Sequence, residues 1–264
     1  MPLNNFKLGN FVFIEIPAAA LEYGFVNNPV GTHGSRTIIL EELRLLLKAC
    51  PGDADYEQYK HAIIDDNVLF KRTLTTRKES VRRLRELYAL DHKVLLFRAL
   101  RDLWEANVDA QPMLALLCAA ARDSILRGTV DLILAMQLGE TVTPQMIEKA
   151  TEESFPGRYN PMTLANVGRH AASSWAQSGH LAGRLHKTRA QAICTETAAT
   201  YALFLGYLCG VRGDALFHTV WARLLDASVH QLHACAQLAS QRGWLDYRHS
   251  GAVTDISFQY LFRA

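Results

Sequence analysis

The chain has 264 residues, 49% hydrophobic and 20% charged, with a formal net charge of +2. This composition excludes an intrinsically disordered or collagen-like chain and leaves room for one large or two modest globular domains. The longest runs without a formal charge, such as residues 197–211, are fifteen residues, short of the roughly 18–20 needed to span a bilayer.

The five cysteines, Cys50, Cys118, Cys194, Cys209 and Cys235, are scattered and form no CxxC pair. They suggest neither a disulfide framework nor a zinc site, and a reducing, cytoplasmic setting fits them best. The N-terminus has no basic segment followed by an apolar one, so no signal peptide is expected. The small net charge hides an alternation. Residues 1–70 carry −4, 71–105 carry +5, 106–157 carry −4, 158–192 carry +5, and 193–264 carry zero. Two cationic blocks between anionic ones imply a molecule with patches rather than a basic tail.

In chain order, residues 1–33 read as an N-terminal extension. A short strand is expected at 11–16 and ends at Pro17, and Asn27, Asn28, Pro29, Gly31 and Gly34 mark a loop. Ile39, Leu43, Leu46 and Leu47 predict a helix over 36–49, stopped by Pro51-Gly52. A second helix is expected over 55–69, with Tyr59, Ile63 and Ile64 inside. The next segment is the densest charge in the chain, since residues 71–85 hold seven basic side chains and one acidic one. Thr76 and Glu79 have capping-box spacing and predict a helix over 76–90. Val81, Leu84, Leu87 and Tyr88 would form its buried face. Lys78, Arg82 and Arg83 would point outward, with Arg85 on the flank. Cations near a helix N-terminus oppose the macrodipole, so an external polyanion is one reason to place them there.

Asp91 is the expected cap of a helix carrying Val94, Leu95, Phe97, Leu100, Leu103 and Trp104. Gln111-Pro112 opens another, with Leu114, Leu117, Cys118 and Ala121, expected to continue past Asp123 through Ile125, Val130, Leu134 and Leu138 to Gly139. Thr143-Pro144 starts a helix that ends near Phe155-Pro156-Gly157. Asn160-Pro161 starts the next, with Leu164, Val167, Ala171 and Trp175 inside and Met162, Asn166, Arg169, Ser173 and Gln177 opposite. Gly179 stops it. Arg184, His186, Lys187 and Arg189 then pass without an acid. Two helices joined by a turn, the second bearing amide and guanidinium groups, match helix-turn-helix grammar; the competing reading is a plain helical hairpin.

The tail repeats this order. A helix is expected over 215–225, a turn at Asp226-Ala227-Ser228, and a helix with Val229, Leu232, Ala236 and Ala239 inside. Alternating runs at 246–249 and 253–258 around Ser250-Gly251 predict a β-hairpin. Helix, turn, helix, hairpin is winged-helix order. With Arg242 as its only formal charge, this last helix is better suited to protein contact than to phosphate.

Nothing indicates catalysis. Gly-rich phosphate loops, HExxH and GxSxG are absent. His230 and His233 diverge on a helical wheel and read as surface residues, and Asp65-Asp66 as a helix flank. No cofactor and no metal are expected.

The run Tyr59-Lys60-His61-Ala62-Ile63-Ile64-Asp65-Asp66-Asn67-Val68-Leu69-Phe70-Lys71-Arg72, followed by the basic residues of 75–84, resembles the BrxA family of bacterial bacteriophage-exclusion (BREX) systems. The leucine-rich segment after Gln111, Ile125-Leu126-Arg127-Gly128-Thr129-Val130-Asp131-Leu132, and residues 175–181 follow in that family's order. The similarity covers roughly residues 34–185 and is most specific at Asn67-Val68-Leu69-x-Lys71-Arg72. It implies a compact helical protein that binds double-stranded DNA without catalysis.

The expectation is therefore an all-α bundle in three parts: the extension 1–33, a helical domain with a helix-turn-helix at 34–190, and a winged-helix-like module at 191–264. Its expected partner is double-stranded DNA, with other phage-defence proteins as a further partner of the tail and no membrane. The DNA-contact candidates are Lys71, Arg72, Arg77, Lys78, Arg82, Arg83 and Arg85 in the first block, and Asn166, Arg169, Arg184, Lys187 and Arg189 in the second. The alternative is a scaffold or adaptor subunit that does not itself touch DNA.

Overall fold

Two helices form the centre of the molecule because they are apolar on every side. The computed structural model describes residues 16–28, 31–251 and 253–263, and within them α5 (Gln111–Arg122) buries every residue from Met113 to Ala121. Helix α10 (Glu196–Leu208) likewise buries all but two of its thirteen residues. A helix with no polar face must be surrounded by protein. Around this pair lie α1 (Leu40–Ala49), α2 (Tyr56–Ile64), α3 (Leu74–Tyr88) and α4 (Leu95–Trp104) on one side, and α11 (Val220–Arg223) and α12 (Val229–Gln241) on the other, with α13 (Gln259–Phe262) against α4. One cluster of buried residues runs from Ile16 to Leu261. Tyr201 of α10 ties the two sides together, its hydroxyl donating to the Leu96 carbonyl at 2.9 Å.

The remaining elements build a smaller unit. Short helices α6 (Ser124–Arg127) and α7 (Val130–Ala135) lead to β1 (Thr141–Val142). Helices α8 (Pro144–Ser154) and α9 (Pro161–Gln177) follow, then β2 (Leu181–Ala182) and β3 (Lys187–Arg189). The three strands form an antiparallel sheet in the order β1-β3-β2. The tail adds a hairpin of β4 (Asp246–Ser250) and β5 (Val253–Ser257), as the alternation around Ser250-Gly251 predicts.

Most helix starts follow from their caps. Thr143 and Asn160 accept hydrogen bonds from the amides three residues on, each with proline in the first turn. Ser228 and Gln231 close a capping box at the start of α12.

Several expected boundaries moved for identifiable reasons. Helix α3 starts at Leu74 because Thr73, not Thr76, is its N-cap and accepts from the Thr76 amide. Glu79 then has no capping role and turns to Arg82 and Arg83. Asp91 caps no helix; its carboxylate takes the Lys93 amide in a turn, and α4 begins after Val94 without a side-chain cap. Asp123 interrupts the long helix expected after Gln111, because its carboxylate accepts the Ile125 and Leu126 amides and restarts the chain as α6. Thr219 does the same in the tail and splits the helix expected over 215–225 into a 3₁₀ turn at Gly213–His218 and α11. Helix α2 stops at Ile64, short of 69, and Asn67 and Phe70 follow with positive φ. The strand expected at 11–16 falls almost wholly outside the described residues.

Candidate nucleic-acid interface

Part of the first cationic block is paired within its own fold. Lys71 Nζ is 2.6 Å from Glu42 Oε1, with both side chains less than a third exposed. Arg77 is half-buried and donates to the carbonyls of Ile64 and Lys71, holding the α2–α3 loop. Arg82 grips Glu79 through two nitrogens, and Arg83 bridges Glu79 at 2.7 Å and Glu86 at 2.9 Å. The hydrogen bond from Arg82 does most to hold the Glu79 carboxyl down to about 2, with Arg83 adding to it against the effect of burial. Arg85 lies over the Tyr56 ring at 4.1 Å. Of the seven cations in residues 71–85, Arg72, Lys78 and Arg85 have no carboxylate or carbonyl partner among the described residues. A groove of about 530 Å³ between α2 and α3 is lined by Tyr56, Lys78, Arg82 and Arg85.

The second block behaves differently because residues 158–192 contain no acid. Arg158, Arg169, Arg184 and His186 are exposed and Lys187 is half-exposed. Arg169 donates to Asn166 Oδ1 at 2.5 Å, which fixes both side chains on the outer face of α9. The Lys187 ammonium folds back to the Arg184 carbonyl at 3.2 Å. Between β2 and β3 the hairpin turns at Gly183, whose φ is +97°. A Cβ there would sit 2.1 Å from the His186 carbonyl oxygen, so only glycine fits. The tip raises Leu185, 89% exposed, between Arg184 and His186.

Arg189 does not belong with these residues. It is buried, 4% exposed, and its guanidinium donates to the carbonyls of Ile133, His180 and Ala190 and to both oxygens of Asp226, at 2.7 and 2.9 Å. It clamps β3 to the loop before α12 and cannot reach a phosphate. Gln177 is also occupied, accepting from the Leu40 amide.

The inner face of α9 is fixed in turn. Gly168 lets α8 and α9 approach closely: a Cβ there would meet the Pro144 carbonyl oxygen at 2.6 Å. The Trp175 indole donates to Thr129 Oγ1 at 2.9 Å. Ser174 Oγ lies 2.8 Å from His33 Nε2, and His33 Nδ1 lies 2.8 Å from Asp123 Oδ2. This has the residue order of a hydrolytic triad, but all three residues are buried. The Ser174 hydroxyl also donates to the His170 carbonyl and accepts from the Ile38 amide. The trio pins the strap of residues 31–39 against α9. Burial raises the Asp123 carboxyl, but His33 and the amides around it outweigh that and leave it below the usual range.

The strap brings a cation that the sequence reading overlooked. Arg36 is exposed. Burial does most to lower the His170 pKa, and the charges of Arg169 and Arg36 push the same way. The strap also touches α3, through Thr32 Oγ1 donating to Glu86 Oε2 at 2.7 Å. Both cationic helices thus pack against the same 3₁₀ turn, Thr32–Gly34. The one local sequence signal for the three-stranded sheet was Gly183, between strands too short to show alternation.

Within the tail, α12 exposes His230, Gln237 and Leu238, with Arg242 held 2.9 Å from Glu196. His233 faces inward, stacked on Phe217 and 2.8 Å from the Tyr247 hydroxyl. Among the described residues, no group of three His, Cys, Asp or Glu is placed to hold a metal ion, and no helix is long and apolar enough to cross a membrane. No family model matches the chain, and no curated protein matches it.

Proposed function

We propose that the chain is a non-catalytic, double-stranded DNA-binding component of a bacterial phage-defence system of the BREX type, and that it engages the duplex through α9 and the β2–β3 hairpin. We read β1–α8–α9–β2–β3 as a winged helix-turn-helix unit, with α9 as the recognition helix and residues 183–186 as the wing. One observation carries this reading: the outer face of α9, the turn before it, the hairpin and the adjoining strap hold Arg36, Arg158, Arg169, Arg184 and Lys187, none of which has a carboxylate partner among the described residues. A duplex releases counterions only to cations that are not already neutralised. The rigid inner face of α9 means that presenting these groups costs little ordering entropy.

Five neutralised phosphates give a slope of about −4.5 for log K against log salt. Fluorescence anisotropy on a labelled duplex from about 50 to 300 mM salt measures it. Arg169→Glu/Arg184→Glu should flatten the slope by about 2 and weaken binding at least tenfold. Arg82→Glu/Arg83→Glu, whose native side chains are already paired, should change it by less than half as much. No binding by the native chain at low salt would reject the reading.

The pairing of the α3 cations supports a second role for the rest of the molecule. The groove beside α3 and the weakly charged outer face of α12 suit contact with another defence protein better than contact with DNA. Pull-down with the full chain and with Leu238→Glu, a substitution on the exposed face of α12, tests that role.

A further inference from the structure

The five cysteines are not equivalent in space. Cys50 and Cys118 are buried, and burial raises both thiols. Cys209 is half-buried near Trp221, and burial pushes it up to about 11. Cys194 and Cys235 are also half-buried, but their Sγ atoms lie 3.9 Å apart, forty-one residues apart in sequence.

Their separation is fixed from several directions. Cys194 lies on the linker between β3 and α10, one residue before Thr195, which caps α10. The linker is held by the Ala192 amide and the Gln191 side chain, both donating to Asp226. Cys235 sits mid-way along α12, which is fixed at its start by the Ser228 box and at its end by the Arg242–Glu196 ion pair. Bringing two sulfurs from 3.9 Å to bonding distance, about 2.05 Å, takes side-chain rotation and a small backbone shift rather than unfolding.

The two thiols are also unequal. Either thiol can donate in the hydrogen bond between the two sulfurs; with Cys194 as donor it lowers the Cys235 pKa, although burial and Glu196 oppose it. The same hydrogen bond does most to raise Cys194. Negative charge therefore settles on Cys235, and the thiolate is the species that attacks a disulfide.

We propose that Cys194 and Cys235 form a reversible disulfide site that staples α12 to the linker leaving the β1–β3 sheet. A small-molecule disulfide such as oxidised glutathione is the oxidant. The Cys235 thiolate attacks one of its sulfurs, forming a mixed disulfide and expelling one glutathione thiolate. Cys194 then loses its proton and attacks the Cys235 sulfur, expelling the second glutathione. The protein has lost two electrons and two protons, and the oxidised glutathione has become two reduced molecules.

Oxidation closes a loop of about forty residues and so removes chain entropy from the unfolded state. For a chain of this size the melting temperature should rise by about 5–10 °C.

The test uses the full-length reduced chain, incubated with oxidised glutathione and then denatured and alkylated. Free thiols should fall from five to three, the product should remain monomeric on non-reducing gels, and peptide mapping should recover Cys194 joined to Cys235. Dithiothreitol should restore all five thiols and the lower melting temperature. Cys194→Ser should instead trap glutathione on Cys235. Five thiols surviving oxidation would overturn the proposal, as would a link between any other pair or between two chains. The native-chain map does not depend on a variant folding, and no part of the test involves DNA.

Discussion

Replacing Arg189 by methionine separates a structural arginine from a phosphate contact. The native guanidinium satisfies three carbonyls and both Asp226 oxygens from a site only 4% exposed. Burial raises the Asp226 pKa, and Arg189 with the Ala192 amide more than offsets this. Methionine fills most of the space but leaves Asp226 with little beyond that amide. Removing one partner of a buried pair typically costs about 3–5 kcal/mol, because the other charge stays desolvated and uncompensated. A chain of 264 residues has a melting entropy of about 0.55 kcal/mol/K, so the melting temperature should fall by about 5–9 °C. The double variant Arg189→Met/Asp226→Leu should recover more than half of that loss, since an apolar pair removes the orphaned charge. Calorimetry on the three proteins measures the shifts, and anisotropy at a temperature where all are folded compares their duplex binding. Native stability with weakened binding in Arg189→Met would refute the structural assignment and return Arg189 to the interface.

Three further outcomes follow from other contacts. Burial holds His180 down to about 4, against the Leu224 carbonyl and Asp226, while the unfolded side chain takes its proton near 6.5. The unfolded state binds more protons between those values, so stability should fall as pH drops through that window, by about 2 kcal/mol from pH 7 to 5; urea titrations should show this dependence reduced in His180→Gln. Gly168→Val should cost about 1–3 kcal/mol by forcing α8 from α9, and should weaken duplex binding even where the chain stays folded. Lys71→Met breaks a partly exposed ion pair and should change unfolding free energy by no more than about 1 kcal/mol.

Helix positions were legible where a local signal decides them. Thr143-Pro144, Asn160-Pro161 and Ser228 each satisfy an amide three residues away, and that chemistry is written in four consecutive residues. Thr76 and Glu79 carried the same signal and misled, because Thr73 caps the helix one turn earlier and Arg82 and Arg83 take Glu79. The interruption at Asp123 was hidden for the opposite reason. Its carboxylate is stabilised by His33, ninety residues away, and no periodicity records that contact. The three-stranded sheet escaped notice because strands of two or three residues carry too little alternation to read. The longer β4–β5 hairpin, with five residues a strand, did not.

The two cationic blocks show why charge along a sequence is a poor measure of charge on a surface. Each block sums to +5. In α3, Glu79 stands three and four residues before Arg82 and Arg83, the spacing at which helical side chains meet, so two of its cations are neutralised within their own turns. Glu42 then reaches Lys71 from α1. Over 158–192 no acid is within local reach, and the one that arrives through space, Asp226, goes to the buried Arg189. A polyanion is attracted by the residual field, and that field falls off within about 8–10 Å at physiological salt. The longer basic run therefore contributes less attraction than its density suggests. The sparser block has no local acid to cancel it, and part of it lies on a helix whose inner face is anchored at Gly168, Ser174 and Trp175. Discounting each cation by an acid three or four residues away removes Arg82 and Arg83 and leaves five cations in residues 71–85 and five in 158–192, so the sequence alone does not rank the two blocks; the contacts of Lys71, Arg77 and Arg189 are made through space.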